Sequence, residues 1–279
     1  MKNLLPGIAL LLLSKISFCQ QAYWQQQVNY DISVTLDTAA NTLDGSVKME
    51  YYNNSPDTLH FIWIHLWPNA YKNDRTAFSE QQLQIGNTGF YFSNSEERGY
   101  INRLNFTVDN ISAATTDHPQ HQDIVKLLLP HPLIPNGKIN IQTAFHVKLP
   151  KQFSRSGVVE NSYQITQWYP KPAVYDKKGW HEMPYLELGE FYSEFGNFTV
   201  DISAPEDLII AASGEKTRET ISNNIKTTTY TLNNTHDFAW FASKDFLVQQ
   251  DTLQLPSKLI NVFAYYYKKD EKIWQNSIR

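Results

Sequence analysis

The stretch from Val28 to Tyr51, VNYDISVTLDTAANTLDGSVKMEY, decides the predicted fold class. Apolar side chains alternate with polar ones from Val28 to Leu36, and residues Leu43 to Tyr51 continue the same period of two. This period is typical of strands with one buried face. Asn41 and the dipeptide Asp44-Gly45 lie between the two halves, so we predict a β-hairpin that turns there.

Similar strand signals continue along the chain. They cover Leu59–Trp67, Ile139–Leu149, Phe198–Ile202, Leu208–Ala212, Thr227–Leu232, Phe238–Ala242 and Leu259–Tyr265. Regularly recurring strands without long helical periods indicate an all-β domain. We therefore predict a β-sandwich of mostly antiparallel sheets.

Three segments lack strand periodicity. Tyr71–Gly99 and Thr115–Asp123 are polar, and we predict them to be loops. Lys268–Arg279 contains no Gly or Pro and places Ile273 and Ile278 near helical spacing, so we predict the start of a helix.

Composition excludes several classes of protein. The 279 residues include 42% hydrophobic and 19% charged residues, which rules out wholesale disorder. With 24 basic and 28 acidic residues the net charge is −4, which disfavours a nucleic-acid binder that relies on a positive surface. The single cysteine excludes a disulfide framework and a cysteine-rich zinc site.

The first residues have the pattern of a secretory signal peptide. Lys2 precedes a short apolar run from Ile8 to Leu13, and small side chains at Ser17 and Cys19 suit cleavage after Cys19. We predict a signal peptide over residues 1–19 and a secreted or periplasmic location. Lipid attachment at Cys19 is the alternative, although bulky Phe18 precedes the cysteine. No other stretch is apolar enough for a membrane span.

Two histidine-containing segments are candidate metal sites. His181-Glu182-Met183-Pro184-Tyr185 begins like the zinc motif H-E-x-x-H, but Tyr185 replaces the second histidine and Pro184 disfavours the helix. His118, His121 and His131 lie among prolines and polar residues, where no helix or strand period holds them on one face. We expect turns and exposed loops, and no metal ligands in this chain.

Three acidic residues raise the alternative of glycoside hydrolysis. Glu187, Glu190 and Glu194 follow one another closely, and a pair of carboxyl groups at a suitable separation can catalyse that reaction. The simpler interpretation is a polar segment that leads into a strand.

The densest stretch of aromatic and polar residues runs from Tyr163 to Trp180. A strand that leaves its sheet through Pro170 and Pro172 explains it structurally. The functional alternative is a strand end that presents Gln167, Trp168 and Tyr169 to a ligand.

This stretch resembles the N-terminal domain of the aminopeptidase N family of zinc metallopeptidases, in particular its secreted bacterial members. Thr166-Gln167-x-x-Pro170 is similar to a T-Q-x-[EQ]-P-like segment of the family, and His236–Ser243 is similar to its D-F-A-W segment. The Val34–Tyr51 pair and the segment Phe191–Pro205 agree with it, so that the resemblance covers roughly Tyr23 to Tyr267.

The resemblance implies a saddle-shaped β-sandwich over residues 23–267 and the start of a catalytic domain over residues 268–279. The family's catalytic domain holds zinc through H-E-x-x-H and carries a G-x-M-E-N strand, and neither motif occurs here. We therefore expect a fragment without catalytic residues or cofactor of its own. Zinc is implied for the absent catalytic domain, which would be the partner, with peptide as substrate.

The resemblance also implies the substrate-binding residues. Family members that trim free N-termini carry Glu or Gln at the position of Tyr169, where it binds the α-ammonium group of the substrate. Tyr169 brings no charge, which puts strict aminopeptidase specificity in doubt. We predict that Gln167 and Tyr169 line the substrate end of the cleft. The alternative is a stand-alone β-sandwich module that binds a glycan or a protein.

Overall fold

The computed structural model describes residues 23–278 of the chain. The predicted signal peptide over residues 1–19, with its cleavage or lipid-attachment site at Cys19, lies outside these residues. Among the described residues, none of the helices has the length and apolar character needed to cross a membrane.

Most of the described chain is β-structure, which confirms the predicted fold class. Its strands, numbered in chain order, are Gln27–Asp37 (β1), Thr42–Tyr52 (β2), Leu59–His65 (β3), Tyr100–Asn102 (β4), Thr107–Val108 (β5), Ile111–Ser112 (β6), Thr115–Asp117 (β7), Ile124–Leu133 (β8), Lys138–Lys148 (β9), Gly157–Val159 (β10), Ser162–Ile165 (β11), Lys171–Pro172 (β12), Val174–Asp176 (β13), Gly179–His181 (β14), Gly196–Pro205 (β15), Ile209–Ala212 (β16), Glu215–Ser222 (β17), Ile225–Thr235 (β18), Trp240–Ser243 (β19), Phe246–Gln254 (β20) and Leu259–Tyr267 (β21). The α-helices are Ala77–Gln84 (α1) and Glu271–Trp274 (α2), and 3₁₀ turns cover Trp67–Tyr71 and Lys268–Asp270.

The largest sheet in residues 23–278 has nine strands. Its order is β17-β18-β15-β1-β2-β9-β5-β6, with β4 also paired to β9. The pairing of β1 with β15 is parallel, whereas the other pairs of this sheet are antiparallel. The predicted pairing of the Val28–Leu36 and Leu43–Tyr51 segments is confirmed, with Val28 opposite Tyr51.

The turn of this hairpin lies earlier than predicted. It occupies residues 38–41, where the Asp37 carboxylate accepts hydrogen bonds from the backbone N–H groups of Ala39 and Ala40 at 2.8 and 3.1 Å. Asn41 adopts a left-handed backbone, with φ 54°. Gly45 lies inside β2 instead, where a β-carbon would come within 2.6 Å of the Phe145 ring.

Two smaller sheets pack against this large one. Their orders are β12-β3-β8-β7 and β10-β11-β19-β16, and two further hairpins are formed by β13–β14 and β20–β21. One core cluster contains Ile32 of β1, Ile64 of β3 and Ile165 of β11, each fully buried. The large sheet and the two smaller ones therefore share a single apolar core, as expected for a sandwich.

The segment Tyr71–Gly99, predicted to be a loop, contains helix α1. The Thr76 side chain caps this helix by accepting a hydrogen bond from the backbone N–H of Ser79 at 3.2 Å. Phe78 anchors the helix in a second aromatic cluster, which includes Phe90 and Tyr185. One buried aromatic and one cap thus hold a helix most of whose remaining residues are polar.

The β20–β21 hairpin follows the last strand of the sandwich. Its two strands pair in one continuous register, from Phe246 opposite Tyr267 to Gln254 opposite Leu259. The predicted helix start after it is confirmed in part, because the 3₁₀ turn is followed by an α2 of only four residues.

Candidate functional site

The chain leaves the sheet after β11 and crosses the end of the sandwich through residues 166–170. Trp168 points into the core, where 1% of it is exposed and its ring nitrogen donates to the Phe238 carbonyl at 3.0 Å. Trp168 packs edge-to-face against Trp240. Trp168 is therefore a core residue, and the alternative in which it is presented to a ligand is wrong.

The carboxylate of Asp237 accepts four hydrogen bonds in this region. Its Oδ1 atom accepts from Lys171 Nζ at 2.7 Å and from the Tyr169 hydroxyl at 3.0 Å. Its Oδ2 atom accepts from Gln167 Nε2 at 2.9 Å. The backbone N–H of Phe238 donates to Oδ1 at 2.8 Å. We call Gln167, Tyr169, Lys171 and Asp237 the Asp237 cluster.

The two charges of the cluster differ in burial. The Lys171 side chain is 1% exposed, whereas the Asp237 side chain is 21% exposed, so the cluster reaches the surface at Asp237. Burial lowers the pKa of Lys171, and the charge of Asp237 opposes that shift. Burial alone would raise the pKa of Asp237, but the Lys171 charge and hydrogen bonds hold it below its ordinary value. The Asp237 carboxyl is therefore ionised at neutral pH.

His65 lies beside the cluster on β3, opposite Lys171 in the β3–β12 pairing. It is fully buried and stacks on Trp67 with ring centroids 4.4 Å apart. Its Nε2 atom accepts from the backbone N–H of Met183 at 3.1 Å. Burial and the Lys171 charge lower the pKa of His65 to about 3, so this ring is neutral at physiological pH.

The structure brings together the two residues predicted to bind substrate. Tyr169 is 1% exposed, and its hydroxyl is bonded to Asp237. Gln167 is partly exposed and has a left-handed backbone, with φ 47°. Its Oε1 atom is buried and has no hydrogen-bond partner within residues 23–278. Of the two, Gln167 has the free polar group, and substrate binding by either residue stays a prediction.

The candidate metal-site segments form a strand end and a pair of stacked histidine rings. His181 ends β14 and contacts Asp176 through Nε2 at 2.8 Å, and Tyr185 is buried where the motif needs a histidine. The rings of His118 and His121 stack with centroids 4.9 Å apart. Within residues 23–278, no three His, Cys, Asp or Glu side chains are grouped to hold a metal. The described residues do not fit a zinc site.

The three acids considered for glycoside hydrolysis lie in different environments. Glu190 is exposed, Glu187 is partly exposed and Glu194 is 2% exposed. The backbone N–H of Tyr175 donates to Glu194 Oε1 at 3.3 Å. Burial raises the pKa of Glu194 to about 8. Glu194 is thus a neutral buried acid at pH 7, and nothing in the geometry favours it as half of a catalytic pair.

Sequence reasoning missed Lys171, Asp237 and His65. Both members of the ion pair lie in segments that carry the family resemblance, Lys171 between two prolines and Asp237 before Phe238. Two opposite charges in otherwise apolar segments were the available signal, since charged side chains are rarely buried unless they are paired. His65 carried only the weaker signal of a polar residue in an apolar strand.

The sequence matches no protein-family model, and no curated protein matches it. Its structure is similar to that of an M1 zinc metallopeptidase from Deinococcus radiodurans, at 16% identity and a TM-score of 0.52. A mutant of the Deinococcus radiodurans enzyme bound to a Tyr-ser-ala substrate gives 15% identity and a TM-score of 0.53. A two-domain M1 zinc metallopeptidase mutant bound to L-tryptophan gives the same values.

These likenesses concern the fold. Each alignment covers 88% of this chain and 48% of the matched chain, so this chain spans about half the length of the solved structures that it matches.

Proposed function

We propose that this chain is the non-catalytic N-terminal domain of a secreted zinc metallopeptidase of the aminopeptidase N type. It forms one wall of the substrate cleft and docks on a catalytic domain of the same polypeptide. The fold likeness to M1 zinc metallopeptidases is the observation that carries this proposal, because it spans most of this chain and about half of each matched chain.

The β20–β21 hairpin is the proposed docking surface. One of its faces carries Val248, Leu259 and Phe263, which are 46%, 59% and 47% exposed. The opposite face carries Leu253, which is 52% exposed, directly opposite Ile260. A two-stranded hairpin is marginal in water by itself. Apolar side chains on both faces therefore support burial against another domain.

The edges of the hairpin support the same role. Within residues 23–278, β20 and β21 pair only with each other, so each has one edge of free backbone groups. Neither strand contains Lys, Arg or Pro, the residues that commonly protect such edges. The catalytic domain can thus cover the faces of the hairpin and add a strand to its two-stranded sheet.

The Asp237 cluster is the proposed contribution to the cleft wall. Gln167 supplies a buried amide oxygen without a partner among residues 23–278, which a donor can reach once its neighbours move, and Tyr169 supports Gln167 from the core side through Asp237. In the whole enzyme we expect Gln167→Ala to raise the Michaelis constant for peptides. Tyr169→Glu would place a second carboxylate beside Asp237, so we expect it to destabilise this wall.

The first experiment is to sequence the gene past the codon for Arg279. An open frame that continues into G-x-M-E-N and H-E-x-x-H supports the proposal. A stop codon there would contradict docking within one polypeptide, and the glycan- or protein-binding module would become the hypothesis to test.

Docking is tested in the full polypeptide with matched variants. Phe263→Ser removes an exposed apolar group from the hairpin, and Ile221→Ser removes one from β17, where Ile221 is 58% exposed. We expect Phe263→Ser to speed hydrogen exchange of the β20–β21 amides and Ile221→Ser to leave it unchanged. Equal effects of both variants, or of neither, would contradict docking through the hairpin.

A further inference from the structure

Asp237 has a role in the site that goes beyond its ion pair with Lys171. Its carboxylate meets the Gln167 amide, the Tyr169 hydroxyl, the Lys171 ammonium and the Phe238 backbone N–H. An ionised carboxylate has only acceptor oxygens, so each of these groups must donate. Asp237 thereby fixes the Gln167 amide and the Tyr169 hydroxyl, the two groups that could also accept, as donors.

The consequence is largest for Gln167. A glutamine amide has a donor end and an acceptor end, and it can present either one by turning over. The 2.9 Å contact between Nε2 and Asp237 Oδ2 commits the donor end. The acceptor Oε1 is then directed away from Asp237 and has no partner within residues 23–278.

The backbone at Gln167 is under the same constraint. A φ of 47° is unfavourable for a residue with a β-carbon, so surrounding contacts must hold it. On one side the Thr166 hydroxyl donates to the Arg155 carbonyl at 3.2 Å, and on the other Trp168 is locked in the core. Asp237 adds the only side-chain hydrogen bond of Gln167 within residues 23–278.

We propose that Asp237, held in place by Lys171, is a positioning residue that engages the donor end of the Gln167 amide and leaves its buried oxygen as the end without a partner. The group that Gln167 meets must then be a hydrogen-bond donor, such as an N–H, an O–H or an ammonium group. This inference deepens the proposed function and rests on it only for the identity of that donor.

The first test uses nuclear magnetic resonance on the chain alone. The Gln167 side-chain NH₂ signals are assigned from their loss in Gln167→Glu. We expect one of the two protons to lie downfield and to exchange with water roughly tenfold more slowly than in a solvated glutamine, as suits a hydrogen bond to a charged group. Two protons with the shifts and exchange of a solvated glutamine would overturn the proposal without any further variant.

The second test distinguishes positioning from general support of the fold. On acidification, the Gln167 Nε2 shift should move with the same midpoint as the Asp237 carboxyl carbon. Asp237→Asn should abolish this titration and move the Gln167 signals. The matched control is Asp207→Asn, since Asp207 also pairs with a lysine, Lys244, at 2.5 Å on the surface. Unchanged Gln167 signals in folded Asp237→Asn would overturn the proposal.

Both tests leave the docking hypothesis aside. They need neither a catalytic domain nor substrate, so a failed docking experiment does not change their outcome. Conversely, a Gln167 amide that turns freely would leave the docking surface of the hairpin intact.

Discussion

The nine-stranded sheet and the β20–β21 hairpin differ in the burial of their apolar side chains and in the protection of their edge strands. Strand β1 of the large sheet buries alternate side chains from Val28 to Leu36. The side chains between them are exposed or partly exposed. The edge strand β17 is exposed throughout, carries charged side chains and has an irregular register near Lys216. The hairpin has apolar groups on both faces and unprotected edges.

This difference separates a self-sufficient region from a dependent one. The large sheet satisfies its apolar face within the chain, and its edge is protected against further pairing. The hairpin satisfies neither requirement among residues 23–278. The comparison predicts that changes in the sandwich alter folding stability, whereas changes in the hairpin alter association.

The largest expected effect is at the buried ion pair of the sandwich. Lys171→Met leaves the Asp237 carboxylate without its cation, so we expect the free energy of unfolding to fall by about 3–5 kcal/mol. Urea unfolding measures this loss. Lys244→Met, which breaks the exposed pair with Asp207, should cost no more than about 1 kcal/mol. Equal losses in the two variants would show that burial of Lys171 is unimportant.

A pH-dependent effect comes next. The pKa of Glu194 is raised from 4.5 to about 8, so between these values the unfolded chain loses a proton that the folded chain keeps. Stability should therefore fall as pH rises, by at most about 1.4 kcal/mol per pH unit, and become level above pH 8.

Glu194→Gln isolates this effect. Other groups also titrate in this range, since burial raises the pKa of Asp123 to about 6 and burial with the Lys171 charge lowers that of His65 to about 3. Both remain in the variant, so they cancel in the difference between the two proteins. Urea unfolding at pH 5, 7 and 9 should show a pH-dependent difference, and a constant one would contradict the assignment to Glu194.

A smaller effect is expected where the two regions join. The hydroxyl groups of Ser162 on β11 and Tyr267 on β21 are hydrogen-bonded to each other. Tyr267→Phe should weaken the attachment of the hairpin by about 1 kcal/mol. Hydrogen exchange should then be faster in β20–β21 and unchanged in β1 and β2. Faster exchange throughout the chain would mean that the regions are not separable.

The smallest effect on stability is expected on the hairpin surface. Phe263→Ser should change the free energy of unfolding of the sandwich by no more than about 0.5 kcal/mol. The same change should reduce self-association of the isolated chain, measured by sedimentation velocity, because an exposed aromatic is lost from an open sheet. Self-association that persists unchanged would mean that the surface through which the chain associates lies outside the hairpin.

The predictability of the fold follows the same division. Strands such as β1 and β9 were predictable because one buried face produces a period of two in the sequence. Strand β17 was not, because all of its residues are exposed and burial imposes no period. Helix α1 was missed because Phe78 and a Thr76 cap stabilise it, whereas most of its residues are polar.

The site was less predictable than the fold. Gln167 and Tyr169 could be named from a sequence resemblance, but their shared partner Asp237 lies 70 and 68 residues further along the chain. Lys171 and Asp237 are separated by 66 residues, and no local pattern links them. Tertiary pairing of this kind leaves no periodic signal in a single sequence.

The parallel pairing of β1 with β15 determines when the sandwich can close during synthesis. The Asn197 backbone N–H donates to the Asn29 side chain across 168 residues of chain. At typical elongation rates of about 5–20 residues per second, β1 waits on the order of ten seconds for β15. Strand β2 can pair with β1 at once, but the other edge of β1 stays open. Such non-local pairing raises the contact order, which slows folding and prolongs exposure of the nascent chain to aggregation.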